Sequence, residues 1–271
     1  MRNRRRSSFT AEAAAAARAY GALEPDPGRR CGDDLAIRFV GPLFRFFLLP
    51  GVRRGFVEEY ERRAPGVFFH HVARTKHIDA LFSSAIDAGA KQFVFLGAGF
   101  DSRAYRFAER LRSAGARAFE VDHPATSAVK RKRIKRIFGA APAHVTYVPV
   151  SFLTERIEDR LLATGYDPAL VTFFVWEGVT PYLDEAAVDA TLAIVSRAAK
   201  GSGIVFDYVS KEALLHPDES LKKQMAAGVK YGEPYGFGVD QGDVGALVGK
   251  HGLRVEENLS AKELGGRYLV G

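Results

Sequence analysis

Short apolar runs and amphipathic stretches alternate along the middle of the chain, and that alternation predicts most of the fold. From Lys91 onward five runs have the near-continuous hydrophobicity of strands buried on both faces: 92–96, 116–121, 145–148, 171–176 and 204–208. Stretches with helical spacing separate them, at 102–113, 124–138, 154–163 and 184–199. This order predicts an α/β chain with a Rossmann-like, doubly wound, mostly parallel sheet. The first ninety residues carry apolar positions only at helical spacing, with Thr10 as the expected cap of an alanine-rich helix and a Pro/Gly/Asp loop from Glu24 to Gly32. After Tyr208 the regularity lapses into a helical piece and the glycine- and aromatic-rich stretch Val229–Gly238, either a lid over a bound molecule or a surface excursion packed on the core. Leu253–Asn258 alternates apolar and charged residues and is expected to form a sixth strand. Four parts result: a helical N-terminal cap (1–90), a core (91–210), a lid insert (211–241) and a C-terminal return to the core (242–271).

Composition narrows the function classes. The chain has 271 residues, is 47% hydrophobic and 26% charged, and holds one cysteine, Cys31. That balance fits a globular chain without an internal disulfide or a Cys-rich zinc site, in a reducing, cytoplasmic setting. The net charge of +7 is concentrated. Arg2, Arg4, Arg5 and Arg6, with Lys130, Arg131, Lys132, Arg133, Lys135 and Arg136, account for it; without those ten, 32 acids face 29 bases. A tail and one solvated helix face are a poor substitute for a basic groove, so nucleic acid is not the expected partner. Arg5-Arg6 precedes an apolar run of alanines shorter than the roughly 7 to 15 residues of an export segment. The apolar stretch Phe39–Val52 is broken by Arg45 and two prolines, below the roughly 18 to 20 residues of a span, and no membrane association is expected.

The chemistry lies at strand ends. Gly97 and Gly99 fall at the turn after the first strand, where missing Cβ atoms let a ligand approach backbone N–H groups. A dinucleotide fingerprint would want glycine at Ser102, and Asp101 would repel a pyrophosphate, so nicotinamide and flavin are disfavoured; Asp101 reads equally as a helix cap. Asp122 ends the second strand, the position from which an acid accepts hydrogen bonds from two ribose hydroxyls. Glu177 ends the fourth strand at the same sheet edge. Arg74, on a helix before the first strand, could fork onto a carboxylate, with Arg18 as a second cation. His70 and His71 point to different helix faces and, with His77, form no metal set, so no metal site is expected.

The order of these motifs resembles the leucine carboxyl methyltransferase family of S-adenosylmethionine-dependent enzymes, including its bacterial O-methyltransferase branch. The resemblance rests on Thr10-Ala11 with Arg18-Ala19, Ala73-Arg74-Thr75 with Ile78-Asp79, the run 96–103 (LGAGFDSR), the run 120–124 (EVDHP) and the run 177–183 (EGVTPYL). It implies that Arg74 holds the cofactor's methionine carboxylate, that Gly97, Ala98 and Gly99 lie under its methionyl part, that Asp122 takes the ribose, and that Glu177 sits near the sulfonium. It also implies O-methylation of a carboxylate or of a small secondary metabolite such as an aromatic polyketide. Two departures from the family pattern stand out. Ser151 occupies a position where the family carries an acid for the adenine amine, which shifts adenine recognition toward Phe152 and implies weaker cofactor binding. The family's last antiparallel strand after 267–269 is expected to be absent, which would leave an exposed sheet edge. A carboxylate acceptor needs no general base; a phenol would, and His123 and Tyr208 are the candidates. A nucleic-acid methyltransferase using the basic segments, and a non-catalytic member with weakened cofactor binding, are the alternatives.

Overall fold

The computed structural model describes residues 9–63, 65–151 and 154–269. Five strands, β1 (Gln92–Leu96), β2 (Arg117–Asp122), β3 (Val145–Pro149), β4 (Thr172–Trp176) and β5 (Gly203–Phe206), pair in the order β3-β2-β1-β4-β5, all parallel. All five lie where the hydrophobic runs place them. In β1 every residue is buried, as a central strand covered on both faces requires. Phe93 and Phe95 face one core and Val94 and Leu96 the other, so alternate side chains serve two layers of helices.

The helices are α1 (Phe9–Ala22), α2 (Ala36–Phe39), α3 (Pro42–Phe47), α4 (Pro50–Arg63), α5 (Val67–Asp87), α6 (Arg103–Arg106), α7 (Ala108–Ser113), α8 (Pro124–Phe138), α9 (Ile157–Ala163), α10 (Glu185–Ser196), α11 (Lys211–Leu215), α12 (Glu219–Tyr231), α13 (Val244–Gly249) and α14 (Ala261–Tyr268). The first five share the core of Phe93 and Phe95, through residues such as Ala16, Phe39, Phe68 and Phe82; α9, α10 and α13 cover the opposite face. The order of strands reverses between β1 and β4, so the loops that follow these two strands diverge and open a crevice at the carboxyl edge of the sheet.

Three expectations, for Thr10, for Leu253–Asn258 and for the basic run of α8, are corrected. Thr10 lies inside α1, and its hydroxyl donates to Glu233 instead of capping the helix. Leu253–Asn258 forms no strand: Arg254 pairs with Glu256 on the surface, and Glu257 is drawn to His77 and Arg267, so these charges are satisfied locally. Among the described residues β5 is an edge of the sheet, and no antiparallel strand joins it. The basic run on α8 is not simply solvated. Lys130 is buried, its Nζ 2.9 Å from Glu120, and Arg133 Nη2 lies 2.9 Å from Glu12 Oε1. The periodicity of α8 explains Lys130, which shares an inward face with Ser127 and Ile134.

Candidate functional site

Where the crevice opens, the chain encloses a cavity of about 1310 Å³. Part of its lining is polar and is built by strand ends. Gly97 and Gly99 take φ of +70° and +42°, values a side chain resists, and a Cβ on Gly97 would come within 2.5 Å of Val179. Asp122 pins the turn from the next strand: its Oδ2 accepts the Gly99 N–H at 2.5 Å while Oδ1 accepts the His123 N–H at 2.5 Å. An ionised carboxylate retains further acceptor capacity beyond these two bonds, and Asp122 lines the cavity.

Beside this turn runs a continuous ladder of buried charge. Arg18 pairs with Asp33, Asp33 with Arg106, Arg106 with Asp79, and Asp79 with Arg103. From Arg103 the ladder passes to Asp101 and Glu177, and from Glu177 through Arg74 to Asp207. Glu177 is the bridge, its two oxygens held by Arg74 Nε at 3.0 Å and Arg103 Nη1 at 2.6 Å. Burial pushes the Glu177 carboxyl up, but the guanidinium groups of Arg103 and Arg74 outweigh it and hold the carboxyl far below its ordinary range. Asp33 behaves alike: burial raises it, and Arg18 and Arg106 bring it below its usual value. Asp101 accepts the Arg103 N–H at 2.7 Å as well as its guanidinium, the cap-like role that its sequence position also allows.

The cavity is also lined by aromatic side chains. Phe44, Phe56, Tyr60, Tyr182, Tyr231 and Tyr235 contribute to its wall. Phe9 at the start of α1 stacks on Tyr231 at the end of α12, ring centroids 4.1 Å apart, and the Thr10–Glu233 hydrogen bond joins the same two segments. Between Ser220 and Tyr235 this part of the chain contributes to the cavity wall and touches the N-terminal helix.

The structure brings Arg74, Gly97, Ala98, Gly99, Asp122 and Glu177 to one cavity. Arg74 is not free for a carboxylate, however: its nitrogens contact Glu177, Asp207 and His71 Nδ1. Ser151 is not among the lining residues, and its N–H donates to Glu155 Oε2 at 2.8 Å; Phe152 lies outside the described residues. His123 is also outside the lining, and its Nδ1 accepts the Ala125 N–H at the start of α8. Tyr208 does line the cavity, with its hydroxyl donating to Asn258 at 2.8 Å. The sequence reading missed Arg103 and Asp207. Arg103 closes the glycine-turn motif, and Asp207 follows β5 as Asp122 and Glu177 follow or end their strands, which was the available signal.

His70 and His71, set aside as metal ligands, stand on the cavity wall. Burial first, and then the nearby Arg74, pushes His70 down to about 4 and His71 well below its ordinary value. Both are neutral near pH 7. As pH falls from 6.5 toward 4, the unfolded chain takes up protons at these positions that the folded chain refuses. Stability is therefore expected to decline from about pH 6.5, before the carboxylates titrate, and the contribution of Glu177 and Asp33 is lost only below about pH 4.5. Urea midpoints across this range check it: His70→Gln should flatten the upper part of the decline, and a wild-type profile level from about pH 7 to 5 would contradict the assignment.

A family model described as leucine carboxyl methyltransferase matches residues 11–196. A relative from Mycolicibacterium paratuberculosis, provisionally named an S-adenosyl-L-methionine-dependent methyltransferase, is 31% identical over 259 residues, covering 91% of this chain and 79% of its own. A Bacillus subtilis relative under the same provisional name is 31% identical over 199 residues, 71% of this chain and 64% of that protein. A Streptomyces coelicolor relative, again so named, is 40% identical over 147 residues. The chain thus spans just under two thirds of the Bacillus protein and 50% of the Streptomyces one. Among solved structures, a provisionally assigned methyltransferase from Thermobifida fusca superimposes with a TM-score of 0.59 at 14% identity, over 96% of this chain and 92% of that one. A DUF574 family protein from Streptomyces avermitilis gives 0.54 at 15% identity, over 84% and 78%. Both share the fold.

Proposed function

Since the chain belongs to the leucine carboxyl methyltransferase family, we propose that it is an S-adenosylmethionine-dependent O-methyltransferase acting on a carboxylate or hydroxyl of an apolar small molecule, of the kind an aromatic polyketide or another secondary metabolite represents. The observation that carries this reading is a single cavity lined both by strand-end carboxylates with a glycine turn and by aromatic side chains.

When bound, the cofactor supplies a methyl group on a sulfonium for in-line displacement by an acceptor oxygen. The residues of the chain bind, align and exclude water. In this reading Asp122 accepts the two ribose hydroxyls while it keeps Gly97–Gly99 in place. Arg74 and its two carboxylate partners receive the amino-acid end: Glu177 and Asp207 take the ammonium, and Arg74 takes the carboxylate by exchanging one of its contacts within the protein for the ligand. The ladder's composition suits a ligand with an added positive charge, because five carboxylates (Asp33, Asp79, Asp101, Glu177, Asp207) face four guanidinium groups (Arg18, Arg74, Arg103, Arg106). The aromatic wall seats the acceptor, and residues 211–241 serve as the lid.

The alternatives draw less support. Lys130 and Arg133 are engaged inside the molecule, which removes two of the cations a nucleic-acid surface would use. A radiolabelled methyl-transfer screen against carboxylic and phenolic metabolites, after S-adenosylmethionine binding is measured by calorimetry, tests the proposal. It predicts binding together with transfer to an apolar acid or phenol. Binding without transfer to any acceptor would favour the non-catalytic reading, and salt-dependent RNA binding with RNA methylation would favour the other.

A further inference from the structure

The apolar stretch that is too short to span a membrane has an exposure pattern that the methyl-transfer reading does not use. Along α3 and the turn after it, Leu43, Phe46 and Leu49 are 63%, 55% and 50% exposed, and Ile37 just before them is 37% exposed. Singly exposed apolar residues are ordinary, but three at a spacing of three residues on one short segment are not. The intervening side chains point inward: Leu48 is buried, Phe44 lines the cavity, and Phe47 packs on Phe56 with ring centroids 4.8 Å apart. The segment is therefore apolar on both sides, with its outer side facing solvent.

Charge identifies the occupant. Between Asp34 and Glu58 the chain contains four arginines, Arg38, Arg45, Arg53 and Arg54, with no acid and no lysine. Arg38, Arg45 and Arg54 are exposed, and among the described residues only Arg54 of these three has a carboxylate partner, Glu58, in an open surface pair with Arg54 90% exposed. Exposed Leu and Phe side chains flanked by arginines of uncompensated charge match a bilayer interface, where apolar groups enter the acyl boundary and cations meet anionic headgroups. We propose that residues 37–54 dock the protein peripherally on an anionic lipid surface, with no segment spanning it. The docking places the aromatic wall of the cavity, through Phe44, directly behind the bound surface, and it stands apart from the identity of the methyl acceptor.

The test is co-sedimentation of the full chain with phosphatidylcholine vesicles, with and without phosphatidylglycerol. Binding is expected to be on the order of a hundredfold tighter to the anionic vesicles, from about a kilocalorie per mole for each exposed arginine, and to weaken with added salt. Leu43→Ser/Phe46→Ser/Leu49→Ser should abolish binding while the chain still melts as a folded protein, because these side chains are half or more exposed. Arg38→Gln/Arg45→Gln should lower the preference for the anionic vesicles. Retention of binding by the triple variant would assign the affinity to the arginines at 2–6 and overturn the proposal. Equal binding to neutral vesicles would overturn it too, as would a dimer of the wild type that the triple variant converts to a monomer.

Discussion

Replacement of Arg103 by methionine is expected to lower the free energy of unfolding by about 3–5 kcal/mol, the cost of leaving buried carboxylates without their cation. Arg103 is 1% exposed and meets three carboxylates, Asp79, Asp101 and Glu177, at 2.5–2.7 Å. Methionine approximates its length and packing, so the loss isolates charge from volume. It also cuts the ladder at its centre, separating the Arg18–Asp33–Arg106–Asp79 half from the Glu177–Arg74–Asp207 half. Arg110→Met is the control. Its partner Asp87 is 71% exposed, and a surface pair of this kind contributes at most about 1 kcal/mol. Urea unfolding of both variants provides the comparison, and an Arg103→Met midpoint within error of the Arg110→Met midpoint would remove the ladder as a source of stability.

Asp122→Asn is expected to weaken S-adenosylmethionine binding roughly ten- to a hundredfold, the range for losing a charged hydrogen-bond acceptor. The amide replaces one acceptor with a donor, so it cannot hold the Gly99 and His123 N–H groups and receive two hydroxyls as well. If Asp122 grips the ribose, far from the reacting methyl, the loss falls mainly on KM for the cofactor while kcat for a carboxylate acceptor changes little. A variant that melts as a folded protein and binds within twofold of wild type would show that Asp122 only pins the turn.

The sheet was legible in the sequence because a strand buried on both faces leaves a continuous apolar run, and Phe93 to Leu96 do so. Asp122 and Glu177 could be placed at one edge for the same reason: a parallel sheet puts all its strand ends together. The partners of these acids could not be read. Arg74 reaches Glu177 and Asp207 across 103 and 133 residues of chain, and Arg103 reaches Glu177 across 74, contacts that leave no local pattern. For this reason Arg74 looked available for a ligand, whereas the fold engages it within the protein. The alternation in Leu253–Asn258 is a true signal for an extended chain, but a strand needs a neighbour, and the charges there found partners on Arg267 and His77 instead. His123 illustrates a different ambiguity: the motif shows that it lies beside Asp122, and only the coordinates show its ring turned to the N-terminus of α8.

The central claim is that one cavity holds the nucleoside and the amino-acid end of the cofactor at once, and a crystal structure of the chain with S-adenosylhomocysteine reads it directly. Ribose hydroxyls are expected within hydrogen-bonding distance of Asp122, with the amino-acid group among Arg74, Glu177 and Asp207. A nucleoside lodged elsewhere, with the Arg74–Glu177–Asp207 contacts undisturbed and Asp122 in touch only with its own backbone, would contradict it.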